Sequence, residues 1–236
     1  MRGLCAAIMF MLLSAAMHAQ PLMLHAGITV GTPIPLGEIP DGATGAPTPK
    51  LTFAVGTSYD IGGSWSVVTE IRASGYGSTF STPLINQPII DKIPVRIADG
   101  STVVYEVETI FNGSSTGTFD NTYVQVPLLL SYRLSDAWNV FAGPYAAWMV
   151  ATRSNARGVG TVGIRPEIVE RDMEFGDRMA ELDYGLQIGT QTSLSTSIVL
   201  DTRVVAGLVS VFDASYKTVD QALHNLYLHI GLGYRL

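Results

Sequence analysis

The sequence predicts an all-β fold, an up-and-down antiparallel transmembrane β-barrel that crosses the membrane with its strands. Three observations predict it. The chain is very apolar yet has no segment long enough for a spanning helix, eight stretches alternate with period two, and the connections between them alternate between short and long.

Charged residues make up only 14% of the 236 positions, against about 25% in soluble globular domains. Beyond the N-terminus no apolar run approaches the roughly 18 residues that a transmembrane helix requires. A chain that faces lipid without such a helix satisfies its backbone only in a closed sheet.

Residues 1–19 are expected to form a signal peptide, with Arg2 ahead of an apolar run from Leu4 to Ala16 and cleavage between Ala19 and Gln20. The barrel domain then covers 20–236. The single cysteine, Cys5, falls in the leader, which excludes disulfides, thiolate metal sites and thiol catalysis from the rest of the chain. Without Arg2, 13 of the 14 basic residues remain against 20 acidic ones, a net charge of −7. No basic patch is left to neutralise phosphates, so nucleic acid is not an expected partner.

Alternation defines each strand, because successive side chains point to opposite faces. The first sets Leu24, Ala26, Ile28 and Val30 against His25, Gly27, Thr29 and Gly31. In the second, Leu51, Phe53, Val55, Tyr59 and Ile61 oppose Thr52, Ala54, Gly56, Ser58 and Asp60. Trp65, Val67 and Ile71 oppose Ser66, Glu70, Arg72 and Ser74 in the third. The fourth opposes Val124, Val126, Leu128, Leu130 and Tyr132 to Tyr123, Gln125, Pro127, Ser131 and Arg133. Strand five sets Trp138, Val140, Ala142, Trp148 and Val150 against Asn139, Phe141, Gly143, Tyr145 and Met149. Leu182, Tyr184, Leu186 and Ile188 face away from Asp183, Gly185, Gln187, Gly189 and Gln191 in the sixth. The seventh opposes Ile198, Leu200, Val204 and Leu208 to Asp201, Arg203 and Gly207. The eighth opposes Leu226, Leu228, Ile230, Leu232 and Tyr234 to Asn225, Tyr227, His229, Gly231, Gly233 and Arg235.

The less apolar faces hold mostly Gly, Ser, Thr, Ala and Gln, which suits a narrow packed lumen better than a wetted surface. Tyr59, Trp65, Trp138, Trp148, Tyr184 and Tyr234 lie near strand ends, where interfacial girdles belong. Gly62-Gly63, Ser135-Asp136 and Ser193 to Ser195 make tight turns. The intervening connections, roughly 32–50, 75–121, 153–181 and 210–224, are long. That sorting matches short periplasmic turns and long extracellular loops. Thr102 to Phe111 also alternates, after a turn signal at Asp99-Gly100. Its partner segment contains Pro88 and Pro94, which remove ladder donors. A hairpin standing in the second loop of an eight-stranded barrel is therefore expected, with ten strands as the alternative.

The run Tyr123-Val-Gln-Val-Pro127-Leu-Leu-Leu-Ser-Tyr-Arg-Leu134 resembles the PorT-like outer-membrane β-barrel family of Bacteroidota. The likeness continues through Gly143-Pro144-Tyr145, Asp183-Tyr-Gly185-Leu-Gln-Ile-Gly189, Asp201-Thr-Arg203 with Gly207-Leu208, and Gly231-Leu-Gly233-Tyr-Arg-Leu236. The chain ends in Leu236 where such barrels commonly end in Phe. The resemblance implies an eight-stranded barrel inserted by the outer-membrane assembly machinery, and no shared chemistry.

Asp60, Glu70, Arg72, Arg133, Asp183, Asp201 and Arg203 all belong to the inward faces. Charges inside a narrow barrel are costly unless paired, so Asp60, Glu70, Arg72, Asp183, Asp201 and Arg203 are expected to form an ion-pair network that plugs the lumen. His25 and His229 point inward without a nucleophile motif and are expected to be structural. Gly158-Val-Gly160-Thr-Val-Gly163 lacks the strand–helix context of a nucleotide fingerprint. The mixed charges of 165–181 have no ion-loop spacing. No catalytic, cofactor-binding or metal-ligating residue is expected. The expected partners are outer-membrane lipid, the assembly machinery and a protein at the extracellular loops. A non-enzymatic barrel is the first reading; a lipid- or peptide-modifying enzyme or a narrow solute channel is the alternative.

Overall fold

A computed structural model describes residues 22–236 except 37, 38, 40, 98, 164, 165 and 214–221. The signal-peptide expectation lies outside the described residues, as does Arg165.

Eleven strands follow one another: β1 (Met23–Leu36), β2 (Thr44–Pro47), β3 (Lys50–Gly62), β4 (Trp65–Arg96), β5 (Thr102–Arg133), β6 (Trp138–Thr152), β7 (Asn155–Val162), β8 (Ile168–Glu174), β9 (Leu182–Ser193), β10 (Ile198–Ser210) and β11 (Ala222–Arg235). Eight of them close a ring, β1-β3-β4-β5-β6-β9-β10-β11, every neighbour antiparallel. Closure joins the first strand to the last, with Met23 opposite Arg235 and Leu36 opposite Ala222. The barrel has eight strands, not ten.

The ring satisfies its backbone internally and turns its apolar faces outward. Leu51, Leu186 and Ile188 are 66%, 56% and 63% exposed, whereas Gln187 between the last two is 2% exposed. Trp138 and Trp148 of β6 stand outside the barrel at its two ends. Ten residues of tilted strand between them span about 25 Å, the height of a hydrocarbon band. Gly62 and Gly63 both take positive φ (117° and 63°) in the β3–β4 turn, which side chains larger than hydrogen rarely adopt.

The second connection departs from its reading as a loop. The β4–β5 ladder continues from the barrel past Ser74 and Asn121, where β3 and β6 fall away, up to Arg96 opposite Thr102. The expected hairpin is therefore the continuation of two barrel strands, a ladder on the order of 70 Å long. β2 adds to β4 at Ser78–Ser81, and β7 adds to β5 at Phe111–Thr118 with β8 outside it. The result is a five-stranded blade standing on the barrel. Gly158 to Val162 lie on β7 and not at a helix start, which disposes of the nucleotide-loop likeness. Pro88 and Pro94 sit within β4 without ending it, because at the rim of a sheet only alternate residues donate to the one neighbour.

Candidate functional site

The lumen fills in three tiers, each assembled from inward positions of different strands. The lowest tier, nearest the short turns, is ionic. Glu70 and Arg72 stand two apart on β4, and Asp201 and Arg203 two apart on β10, so each pair shares a face. β4 and β10 are diametrically opposite in the eight-membered ring. Arg72 Nε donates to Glu70 Oε1 at 2.8 Å, and Arg203 Nη1 reaches across the lumen to the same oxygen at 2.7 Å. Arg203 also grips Asp201 with two donors, Nε to Oδ1 at 2.9 Å and Nη2 to Oδ2. The fork geometry suits a guanidinium and would not suit a lysine.

Two carboxylates and two guanidiniums balance in formal charge. Neutral groups complete the tier: Gln191 Nε2 donates to Asp201 at 3.2 Å, and Gln187 Oε1 accepts from Arg203 at 3.2 Å. The Phe141 ring lies 4.9 Å from the Arg203 guanidinium carbon, within cation–π range. Arg72 Nη1 lies 2.9 Å from His229 Nε2. A guanidinium can only donate, so that nitrogen accepts and the ring is neutral in this contact. His25 Nδ1 stands 3.8 Å from Asp201.

Above the ions lies a tyrosine tier. Tyr76 stacks on Tyr227 with centroids 3.8 Å apart and tilts against Tyr123 at 5.1 Å. Tyr145 Oη and Asn225 Nδ2 both donate to Asp183 Oδ2 at 2.9 Å. The third tier closes the blade end with Phe80, Phe119, Phe175 and Phe212, ring centroids 5.1–6.2 Å apart. Phe175 and Met179 bracket a 3₁₀ turn, Gly176–Arg178, and Met179 bridges to Phe212.

Small residues provide the room. A Cβ on Gly189 would fall 2.7 Å from both Arg203 Cβ and the Phe141 ring, and one on Gly31 would fall 2.6 Å from the Tyr227 ring. Glycine is thus the complement of the large luminal side chains, as small and large alternate in narrow barrels. At the short-turn end a cavity of about 320 Å³ remains, lined by His25, Asp60, Glu70, Ser131, Arg133 and Gln191 among others.

The structure brings together four of the six residues expected in one network: Glu70, Arg72, Asp201 and Arg203. Asp183 does not join them. It sits one tier higher with Tyr145 and Asn225. Asp60 stands at a different height, opposite Ser66 and not Glu70 in the β3–β4 ladder. It is exposed at the short-turn rim, because β3 ends just beyond it. Sharing an inward face fixes direction but not height, which separates these two from the rest. Sequence reasoning missed Tyr76, Phe80 and Phe119, which it left in a loop. The signal was there, since Ser74, Tyr76, Ser78 and Phe80 continue the inward alternation of β4. Among the described residues, no group of three or more His, Cys, Asp and Glu is arranged to hold a metal ion.

Similar solved structures include Ail of Yersinia pestis in complex with the heparin analogue sucrose octasulfate, at 12% identity and a TM-score of 0.41, covering 92% of this chain and 99% of Ail. The Neisserial surface protein A matches at 8% identity and a TM-score of 0.41 over 92% of this chain and 99% of its own. OprG of Pseudomonas aeruginosa matches at 9% and 0.37 over 93% and 97%. No curated protein matches the sequence. The family model for the outer membrane protein beta-barrel domain matches residues 18–213, and the chain accordingly belongs to that family, an eight-stranded barrel of the bacterial outer membrane.

Proposed function

We propose that this is a non-enzymatic surface-interaction protein in which the barrel is the anchor and the extracellular blade is the working region. One observation carries the reading: the lumen is occupied in three tiers, while β4 and β5 rise far above the barrel with apolar residues exposed at their tip. Val95, Val103, Tyr105 and Val107 are 40%, 38%, 52% and 42% exposed there. Side chains of that kind, held clear of both lipid and lumen, mark an interaction surface. Glu70, Arg72, Asp201 and Arg203 serve as the plug, since a conducting path would have to break buried guanidinium–carboxylate bridges. Residues 1–19 direct export as a cleaved leader, and the outer-membrane assembly machinery inserts the barrel. The PorT-like resemblance supports a secretion-accessory version of this role, with a secretion component as the protein that the blade meets.

Replacing residues 83–114 by an Asn-Gly turn tests the reading. The shortened chain is expected to keep the heat-modifiable gel migration of a folded barrel while losing cross-linked adducts formed on intact cells. Adducts that persist unchanged, or conductance steps from the intact protein in planar bilayers, would overturn it.

A further inference from the structure

We propose that the tyrosine tier holds a monovalent alkali cation, bound inside the barrel by oxygen atoms of Asp183, Asn225 and Tyr227.

The two lower tiers differ in their charge. In the ionic tier two carboxylates meet two guanidiniums, and each charge has an opposite one in contact. The tyrosine tier has a single carboxylate, Asp183, which is 3% exposed. Its side-chain donors, the Tyr145 hydroxyl and the Asn225 amide, are both neutral. Among the described residues no lysine, arginine or histidine forms an ion pair with it. His224, next to Asn225 on β11, turns its Nδ1–H to the Gly207 carbonyl at 3.3 Å. A buried carboxylate with no opposite charge is costly.

The unpartnered buried atoms of the two tiers also differ in kind. Around the ions they are mixed, with Glu70 Oε2 an acceptor and Arg72 Nη2 and Gln187 Nε2 donors. In the tyrosine tier they are all oxygens: Gln125 Oε1, Asp183 Oδ1, Asn225 Oδ1 and Tyr227 Oη. Chemistry fixes the Asn225 amide, because only its nitrogen can donate to the Asp183 carboxylate and its oxygen is left facing elsewhere.

Topology gathers these oxygens. Asp183 comes from β9, and Asn225 and Tyr227 stand two apart on β11. β10 lies between those strands and contributes Gly207. A Cβ on Gly207 would fall 2.9 and 3.0 Å from the two Asp183 carboxylate oxygens and 3.2 Å from Asn225 Cβ. The bare glycine thus lets the carboxylate lie over β10 and reach Asn225. Tyr76 stacks on Tyr227 and accepts from Gln125 Nε2, which brings the Gln125 amide in from the far side.

An oxygen-only set suits a hard cation. Water could bond these oxygens but would leave the carboxylate unbalanced, whereas one positive charge does both. A divalent ion over a single carboxylate would only exchange a buried negative charge for a buried positive one.

The test follows the full-length barrel in nonionic detergent by urea titration and heat-modifiable migration. Ionic strength is held constant while sodium chloride replaces choline chloride, whose cation is too large for the tier. The parent midpoint is expected to rise with the logarithm of sodium concentration once the site begins to fill. Asp183→Asn is expected to fold and to lose that rise. Tyr227→Phe is expected to keep the parent midpoint in choline, because its hydroxyl bonds no protein group, and to need several-fold more sodium before the rise begins. A parent midpoint that is the same in sodium, potassium and choline overturns the proposal, as does a rise that Asp183→Asn retains. Calcium chloride that stabilises the parent more than sodium chloride of equal ionic strength overturns the singly charged occupant. Should Asp183→Asn fail to fold, Tyr227→Phe decides, and a response to sodium equal to the parent's overturns the site.

Discussion

The lumen and the blade use the same chemistry in opposite surroundings. Arg203 and Glu70 meet at 2.7 Å with side-chain exposures of 0% and 1%, whereas Arg157 of β7 pairs with Glu170 of β8 at exposures of 57% and 58%. Inside the barrel each ion has given up its water and depends on its partner. On the blade, water stands ready to replace either partner. An arginine–carboxylate pair is therefore a structural necessity in one region and nearly optional in the other, although the residue types are identical.

The sharpest way to break this contrast is Arg203→Leu. It leaves Glu70 with Arg72 alone and takes both donors of the fork from Asp201, so about 3–5 kcal/mol of stability is expected to be lost. Urea titration of the folded barrel in detergent, followed by heat-modifiable migration, reads that loss. An unchanged midpoint would remove the ionic tier as a stabilising element. Gly189→Ala comes next at about 2–3 kcal/mol, because its Cβ would press on the Thr202 carbonyl oxygen as well as on Phe141. The same titration checks it, and a neutral result would mean that the lumen is less tightly filled than its tiers imply. Tyr145→Phe deletes one of two side-chain donors to Asp183 and is expected to cost about 1–2 kcal/mol. Arg157→Ala on the blade is expected to shift the midpoint by no more than about 0.5 kcal/mol. A cost as large as that of Arg203→Leu would erase the distinction between the two regions.

Much of this was legible before the structure. Leu186 outside and Gln187 inside follow from a period of two, and the three short turns sort to one end by their Gly, Ser and Asp content. The acid-x-Arg pairs Glu70/Arg72 and Asp201/Arg203 announce a charged face on two strands. The blade was not legible in the same way. Pro88, Pro94 and the glycines of 113–117 read as loop, and only the partner strand shows that Pro88 and Pro94 occupy the edge positions where no donor is needed. His229 likewise read as an inward histidine with no stated partner, because Arg72 lies 157 residues away in sequence.

Which way each side chain points could be read from the chain alone, since direction is a local property of extended backbone. Closure decided what each side chain meets. Pairing β1 with β11 fixes the stagger of every strand around the ring, and stagger sets height. Height places Arg203 beside Glu70, lifts Asp183 into the tyrosine tier and leaves Asp60 at the rim. No stretch of strand contains that information on its own, because it belongs to the ring as a whole.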